Sequence, residues 1–124
     1  TSKYKQFLKG LNELVEEGTV QVFRTIGRTE DIILGVVGEL QFEVFSYRLE
    51  AEYGAQIRLD RLPYQLARWV VSDKTIDPAR LSSLSSLTVK DQNEQLVVLC
   101  ESDYALRWLE DQNPDIEFFA NSQY

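Results

Sequence analysis

The 124-residue chain contains no histidine and no methionine, and it has one cysteine. Without histidine, a Ser-His-Asp triad, a Cys-His pair and the usual zinc sites are all excluded as chemistry within the chain. A lone cysteine, Cys100, cannot form an intrachain disulfide, and its setting in QLVVLC gives it the ordinary role of a small buried hydrophobe. Six glycines and three prolines are too few for a linker or a disordered tail. No apolar run approaches the roughly 20 residues needed to cross a bilayer, and the opening TSKYKQFLKG lacks the apolar stretch of a signal peptide. These absences predict a soluble, cytoplasmic protein. The missing initiator Met suggests a piece of a longer one.

What is present fits a folded domain. Hydrophobic residues make up 44% and charged residues 27%, and the length holds one domain or two small lobes that share a core. The net charge of −7 is uneven. Residues 1–74 carry 10 Lys and Arg against 11 Asp and Glu, whereas residues 75–124 carry 3 against 9. Phosphate contacts need Lys or Arg, so only the first half can offer a basic face to nucleic acid.

Tyr4, Phe7, Leu8, Leu11, Leu14 and Val15 recur at helical spacing, with Ser2 as N-cap and Gly18 as a left-handed C-terminal cap. TVQVFRTI and DIILGVV then read as strands joined by the polar turn GRTE. After Gly38 the period changes from two toward 3.6. Leu40, Val44 and Tyr47 with Phe45 and Leu49 form a broad apolar face, and Gly54 ends the helix. AQIRLDRL and LARWVVSD read as two further strands. Asp77 and Pro78 open a short helix in DPARLSSLSS. SLTVKDQNEQLVVLCES gives two strands about the turn KDQNE, Ser102 and Asp103 open a last helix that stops before Pro114, and DIEFFA is a last strand.

From Arg68 onward the order is strand, helix, strand, strand, helix, strand, the split βαβ or ferredoxin-like pattern. The first half repeats it without an opening strand. The expected architecture is α+β: two ferredoxin-like lobes, residues 1–67 and 68–124, with antiparallel strands that share or abut one sheet and helices on one face.

Gly35, Gly38 and the following helix loosely suggest a glycine loop that cradles phosphate. The spacing is neither G-x-G-x-x-G nor G-x-x-x-x-G-K-[ST], and Glu39 places a negative charge in the first turn, where it repels an anion. Gly35, Gly38 and Gly54 are therefore read as backbone devices at a structural junction.

The same junction, ILGVVGELQFEVFSYRLEAEYG, preceded by FLKGLNELVEEGTVQVFR and followed by RWV, resembles the carboxy-terminal domain of the bacterial peptide chain release factor 3 family, translational GTPases related to elongation factor G. The pattern shared with elongation factor G domain III appears as Leu14, Glu16, Glu17 and then Gly35, Gly38, Glu39, Leu40, Gln41, Phe42, Arg48 and Leu49. Gly18 and Thr19 stand where the elongation factor has Asp-Pro, and Phe42 where it has His; both departures take the release factor form. The resemblance implies a non-catalytic domain with no cofactor of its own. GTP and Mg would be held by an amino-terminal G domain that these residues do not include. The intact factor would bind the ribosome and use GTP to drive class I release factors off after peptide release. The implied partners are small-subunit rRNA and ribosomal proteins, together with the factor's own G and β-barrel domains; neither a membrane nor DNA is implied.

Arg24 and Arg28 flank the hairpin tip, and Arg58, Arg61 and Arg68 lie on or beside the later strands. As a set they are the candidate ribosome or RNA contacts; taken singly, each is more simply a solvated or ion-paired charge. Tyr64 and Trp69 could stack on a base, but Trp69 in RWVV, like Trp108 on the last helix, reads as core. Glu16 and Glu17 read as a solvated helix end. Two other function classes fit the fold: a small-molecule-sensing regulatory module, and an enzyme that uses carboxylates.

Overall fold

The computed structural model describes residues 2–18, 20–27, 31–54 and 59–123. The elements are α1 (Ser2–Glu16), β1 (Gln21–Thr25), β2 (Ile32–Gly35), α2 (Leu40–Tyr53), β3 (Leu66–Val71), α3 (Pro78–Leu81), β4 (Ser86–Asp91), β5 (Leu96–Cys100), α4 (Asp103–Gln112) and β6 (Glu117–Phe119). They divide into two compact units, residues 1–22 with 34–61 and residues 23–33 with 62–124.

The first unit is built on α1 and α2. Leu11 and Leu14 of α1 and Phe45 and Leu49 of α2 are fully or almost fully buried. The helices approach closely at Gly10, where an added Cβ would lie 2.6 Å from Leu49 Cδ2 and 2.8 Å from Tyr53 Cδ2. Gly18 and Gly54 have left-handed φ of 78° and 66°, as expected for helix-ending caps. The Gly54 amide donates to Glu50 O at 3.0 Å.

The second unit holds β3 to β6, with Phe23–Thr25 of β1 and Ile32 and Ile33 of β2. Strand order is β2-β1-β4-β5-β3-β6, and β4 with β1, β5 with β4, β3 with β5 and β6 with β3 are antiparallel. β5 lies between β3 and β4, and β3 lies between β5 and β6, which is the split βαβ arrangement predicted for this half. The expected α+β class and antiparallel sheet are therefore present, and the hairpin from the first half extends the same sheet beside β4.

Alternation along the strands sorts side chains between two faces. On one face Val70, Val98 and Cys100 pack with Leu81 of α3 and Ala105, Leu106 and Leu109 of α4. On the other, Phe23, Trp69, Val89, Val97 and Leu99 form a second cluster. Each fully buried aliphatic side chain contributes about 1.5–3 kcal/mol.

A buried carboxylate organises the second face. Asp91 Oδ1 accepts from the amides of Asn93 and Gln95, both at 2.9 Å, and so closes the β4–β5 turn. Its Oδ2 accepts from Trp69 Nε1 and Gln95 Nε2, also at 2.9 Å. Among the described residues, no buried side-chain nitrogen or oxygen lacks a partner.

Four expectations are corrected. The strand read in AQIRLDRL is not formed in its described part: 59–65 have no regular structure, and 55–58 lie outside the described residues. Pro63 removes a ladder donor and restricts the residue before it, which outweighs a short alternation. The helix read in DPARLSSLSS spans only Pro78–Leu81. Asp77 caps it as expected, accepting from the Ala79 amide at 3.0 Å, but Ser82 Oγ turns to Thr88 Oγ1 and Ser86 Oγ to Leu81 O. Serine hydroxyls compete for the backbone in this way. Trp108 is half exposed because Ala105, Leu106 and Leu109 define the buried face of α4 and Trp108 lies to one side. The broad face of α2 splits: Phe45 and Leu49 are buried, while Leu40, Val44 and Tyr47 are exposed. At 100° per residue that arc is wider than one packing contact covers.

Two stability outcomes follow. Asp91→Ala strands the indole N–H and the turn amides and is expected to cost on the order of 3 kcal/mol, against about 1 kcal/mol for Trp69→Phe, which removes one donor. Urea midpoints measure both, and an Asp91→Ala midpoint equal to the parent's would contradict the assignment. Gly10→Ala gains about 1 kcal/mol in helix propensity but overpacks Leu49 and Tyr53 by roughly 1–3 kcal/mol. A net loss of stability is expected in the same assay.

Candidate functional site

The sequence-predicted arginines are dispersed. Arg24 lies on β1, half-buried, with its Cα opposite that of Lys90 on β4. The two line a shallow hollow with Thr25, Ile26, Gly27 and Glu94, and Lys90 Nζ is 3.4 Å from Glu94 Oε2. Arg68 lies on β3 with its Cα opposite Val98 and donates through a guanidinium nitrogen to Ala67 O at 2.9 Å. β4 and β5 separate β1 from β3, so Arg24 and Arg68 stand on strands about 14 Å apart. Arg61, in the first unit, is exposed and donates to Glu39. Arg28 and Arg58 lie outside the described residues.

The junction glycines differ in their demands. Gly35 is the last residue of β2, and Gly54 needs its left-handed backbone. A Cβ added at Gly38 meets nothing within 4 Å, so crowding does not require glycine there. Gln41 does the work of starting α2: its Oε1 accepts from the Val37 amide at 3.0 Å, while Glu39 makes no side-chain cap.

Ion pairs line the first unit. Arg48 donates from Nε to Glu52 at 2.5 Å and lies 3.1 Å from a Glu17 oxygen, so it bridges α2 to the chain just after α1. Hydrogen bonding from Arg48 holds the Glu52 carboxyl below its ordinary range, and Arg61 does the same for Glu39. The hydrogen bond to Glu13 pushes the Tyr53 hydroxyl up to about 12. In the second unit Arg80 holds Asp115 low through two contacts, at 2.5 and 3.1 Å. Burial pushes the Cys100 thiol up to about 11, which suits an inert core residue.

Two surfaces escaped the sequence reading. Tyr104 and Trp108 stand out from α4, and Val37, Leu40, Val44 and Tyr47 form an exposed apolar stripe at the start of and along α2. Their signal was an apolar arc too broad for one face. Among the described residues no cluster of His, Cys, Asp or Glu could hold a metal ion, and no helix is long and apolar enough to cross a membrane.

Residues 1–110 match the family described as Class II release factor RF3, C-terminal domain. The chain belongs to that family. It is 44% identical over 115 residues to the peptide chain release factor 3 of Listeria monocytogenes serotype 4b (strain F2365) and of Listeria innocua serovar 6a, and 45% identical over 115 residues to that of Lactobacillus gasseri. Each alignment covers 93% of this chain and 22% of the relative, so the chain spans about a fifth of their length. The match is to the family's C-terminal domain, and it includes the Gly35–Gly54 junction and the whole of α1 and α2. In this RF3 C-terminal domain the glutamates of that junction are held by arginines, Glu39 by Arg61 and Glu52 by Arg48.

The lowered Glu39, Glu52 and Asp115 set an acid-side dependence. Their folded-state affinity for protons is below the unfolded one, so their contribution is present above the ordinary carboxylate range and fades as pH falls through the lowered values. Melting temperature is expected to drop below about pH 4, and the drop should be smaller in Arg48→Ala, whose Glu52 titrates normally. An identical pH profile for parent and variant would contradict that pairing.

Proposed function

We propose that this chain is the non-catalytic, ribosome-interacting domain of a GTP-dependent peptide chain release factor that promotes recycling of class I release factors in translation termination. The observation that carries the proposal is the family match over residues 1–110, joined to 44–45% identity with proteins named peptide chain release factor 3. On this reading the chain acts in the bacterial cytoplasm. It neither binds nor hydrolyses GTP, because GTP and Mg belong to a G domain outside these residues. Its partners are small-subunit rRNA, ribosomal proteins, and the factor's own G and β-barrel domains. Nothing in the matches favours the alternative of a small-molecule-sensing module.

The rRNA contact is assigned to Arg24, Arg28, Arg58, Arg61 and Arg68, in the half of the chain that is nearly charge-balanced. Attraction to phosphate releases condensed counterions and therefore weakens as salt rises. The second half carries 3 Lys and Arg against 9 Asp and Glu, which suits it to protein contacts.

The test is co-sedimentation of the chain with 70S ribosomes across a salt series, beside a variant in which Arg24, Arg28, Arg58 and Arg61 are Ala. The parent is expected to pellet at low salt. The slope of log affinity against log salt should become shallower by about 0.7–0.9 for each phosphate contact removed. Equal slopes would remove the arginines from the interface, and absence of the parent from the pellet at every salt would remove the ribosome contact from this domain.

A further inference from the structure

The outer face of α4 joins exposed aromatic rings to unpaired carboxylates. Ala105, Leu106 and Leu109 fill the buried side, and Tyr104 and Trp108 stand 80% and 50% exposed on the other. Residues four apart are neighbours on a helix, so the two rings border one stretch of surface. Arg107 and Asp111 share it and are exposed. Across residues 101–111, Glu101, Asp103, Glu110 and Asp111 face the single cation Arg107. Glu39, Glu52 and Asp115 are each held by an arginine. None of these four carboxylates makes an ion pair among the described residues, and neither does Arg107. Asp103 and Asp111 are eight positions apart, about 12 Å along the helix axis. Four residues of extended chain span about 13 Å.

Charge selects the occupant. Four carboxylates against one guanidinium repel a phosphate backbone, and a second copy would set one acidic face against another. A cation complements both features at once. Its positive charge is attracted to the face of an aromatic ring, and a planar guanidinium can stack there while donating to a carboxylate. We propose that the outer face of α4 binds an extended, arginine-rich segment of a partner protein. Its guanidinium groups lie on Tyr104 and Trp108 and pair with Asp103 and Asp111. The contact is short, of the size of a transient encounter rather than an obligate interface. The inference rests on the reading of the second half as the protein-contacting one and names the chemistry of the partner. It can fail while arginine-dependent sedimentation with ribosomes stands, because the two tests alter different residues.

The test uses the chain with three labelled probes followed by fluorescence anisotropy: a dodecapeptide of alternating Ser and Arg, a twin with citrulline for Arg, and an oligouridine. Citrulline keeps the shape of arginine without its charge. The Arg peptide is expected to bind at least about tenfold more tightly than its twin. Tyr104→Ser with Trp108→Ser leaves the net charge unchanged and should weaken Arg-peptide binding at least about tenfold, with an unchanged far-ultraviolet circular dichroism spectrum. Asp103→Asn with Asp111→Asn replaces surface carboxylates and probes the same face should the Ser pair fail to fold. It should weaken binding and make its salt dependence shallower. Glu16→Gln with Glu43→Gln removes as much charge from the first unit and should leave the affinity within about twofold. Equal affinity for both peptides, binding of neither, Arg-peptide binding that survives the Ser substitutions, or an equal loss from the Asn and Gln pairs would overturn the proposal. So would oligouridine binding that the Ser substitutions abolish. A dimer in sedimentation equilibrium that Trp108→Ser dissociates would overturn it by assigning the face to a second copy.

Discussion

The carboxylate of Asp91 is the interaction on which the second unit depends. It sits at the end of β4, is almost fully buried, and accepts four hydrogen bonds, two from the turn that follows and two from side chains. Only a carboxylate at this position can serve a tight turn and an indole two strands away together. The fixed indole in turn supports Phe23 of the hairpin, whose ring centroid lies 6.1 Å from that of Trp69 at a tilt of 55°. The β4–β5 turn, β3 and the hairpin are thereby linked through one acidic residue.

The sequence was most legible where local chemistry is decisive. Period and cap residues place α1, α2 and α4, because Gly18, Gly54 and Ser102 satisfy backbone groups that a helix end otherwise leaves open. The strands β3 to β6 were legible because LARWVV and LVVLC alternate between two clusters in a fold whose order of elements is distinctive. Legibility failed where side chains compete. The serines after Leu81 bond the backbone rather than extend α3, and the alternation before Pro63 has no neighbouring strand among its described residues. Gly10 was invisible because its role is to let another helix approach, a fact no local window contains.

The candidate site was legible as residue types but not as an arrangement. Arg24, Arg61 and Arg68 stand apart: Arg24 on β1 lies opposite Lys90, Arg61 before β3 donates to Glu39, and Arg68 on β3 donates to Ala67 O. The α2 stripe shows the converse. Leu40, Val44 and Tyr47 read from the sequence as part of one broad apolar face with Phe45 and Leu49, since composition tells that a side chain avoids water but not what covers it. The resemblance carried at the glycine junction was therefore more informative about family than any single charged residue was about a contact.

The sheet ends on strands of four and three residues, β2 and β6. An edge this short presents few open backbone groups, and Glu117 places a charge on one of them. Another polypeptide laid alongside would gain too few ladder bonds to offset the entropy of aligning with it. Both margins of the sheet therefore discourage growth by strand addition.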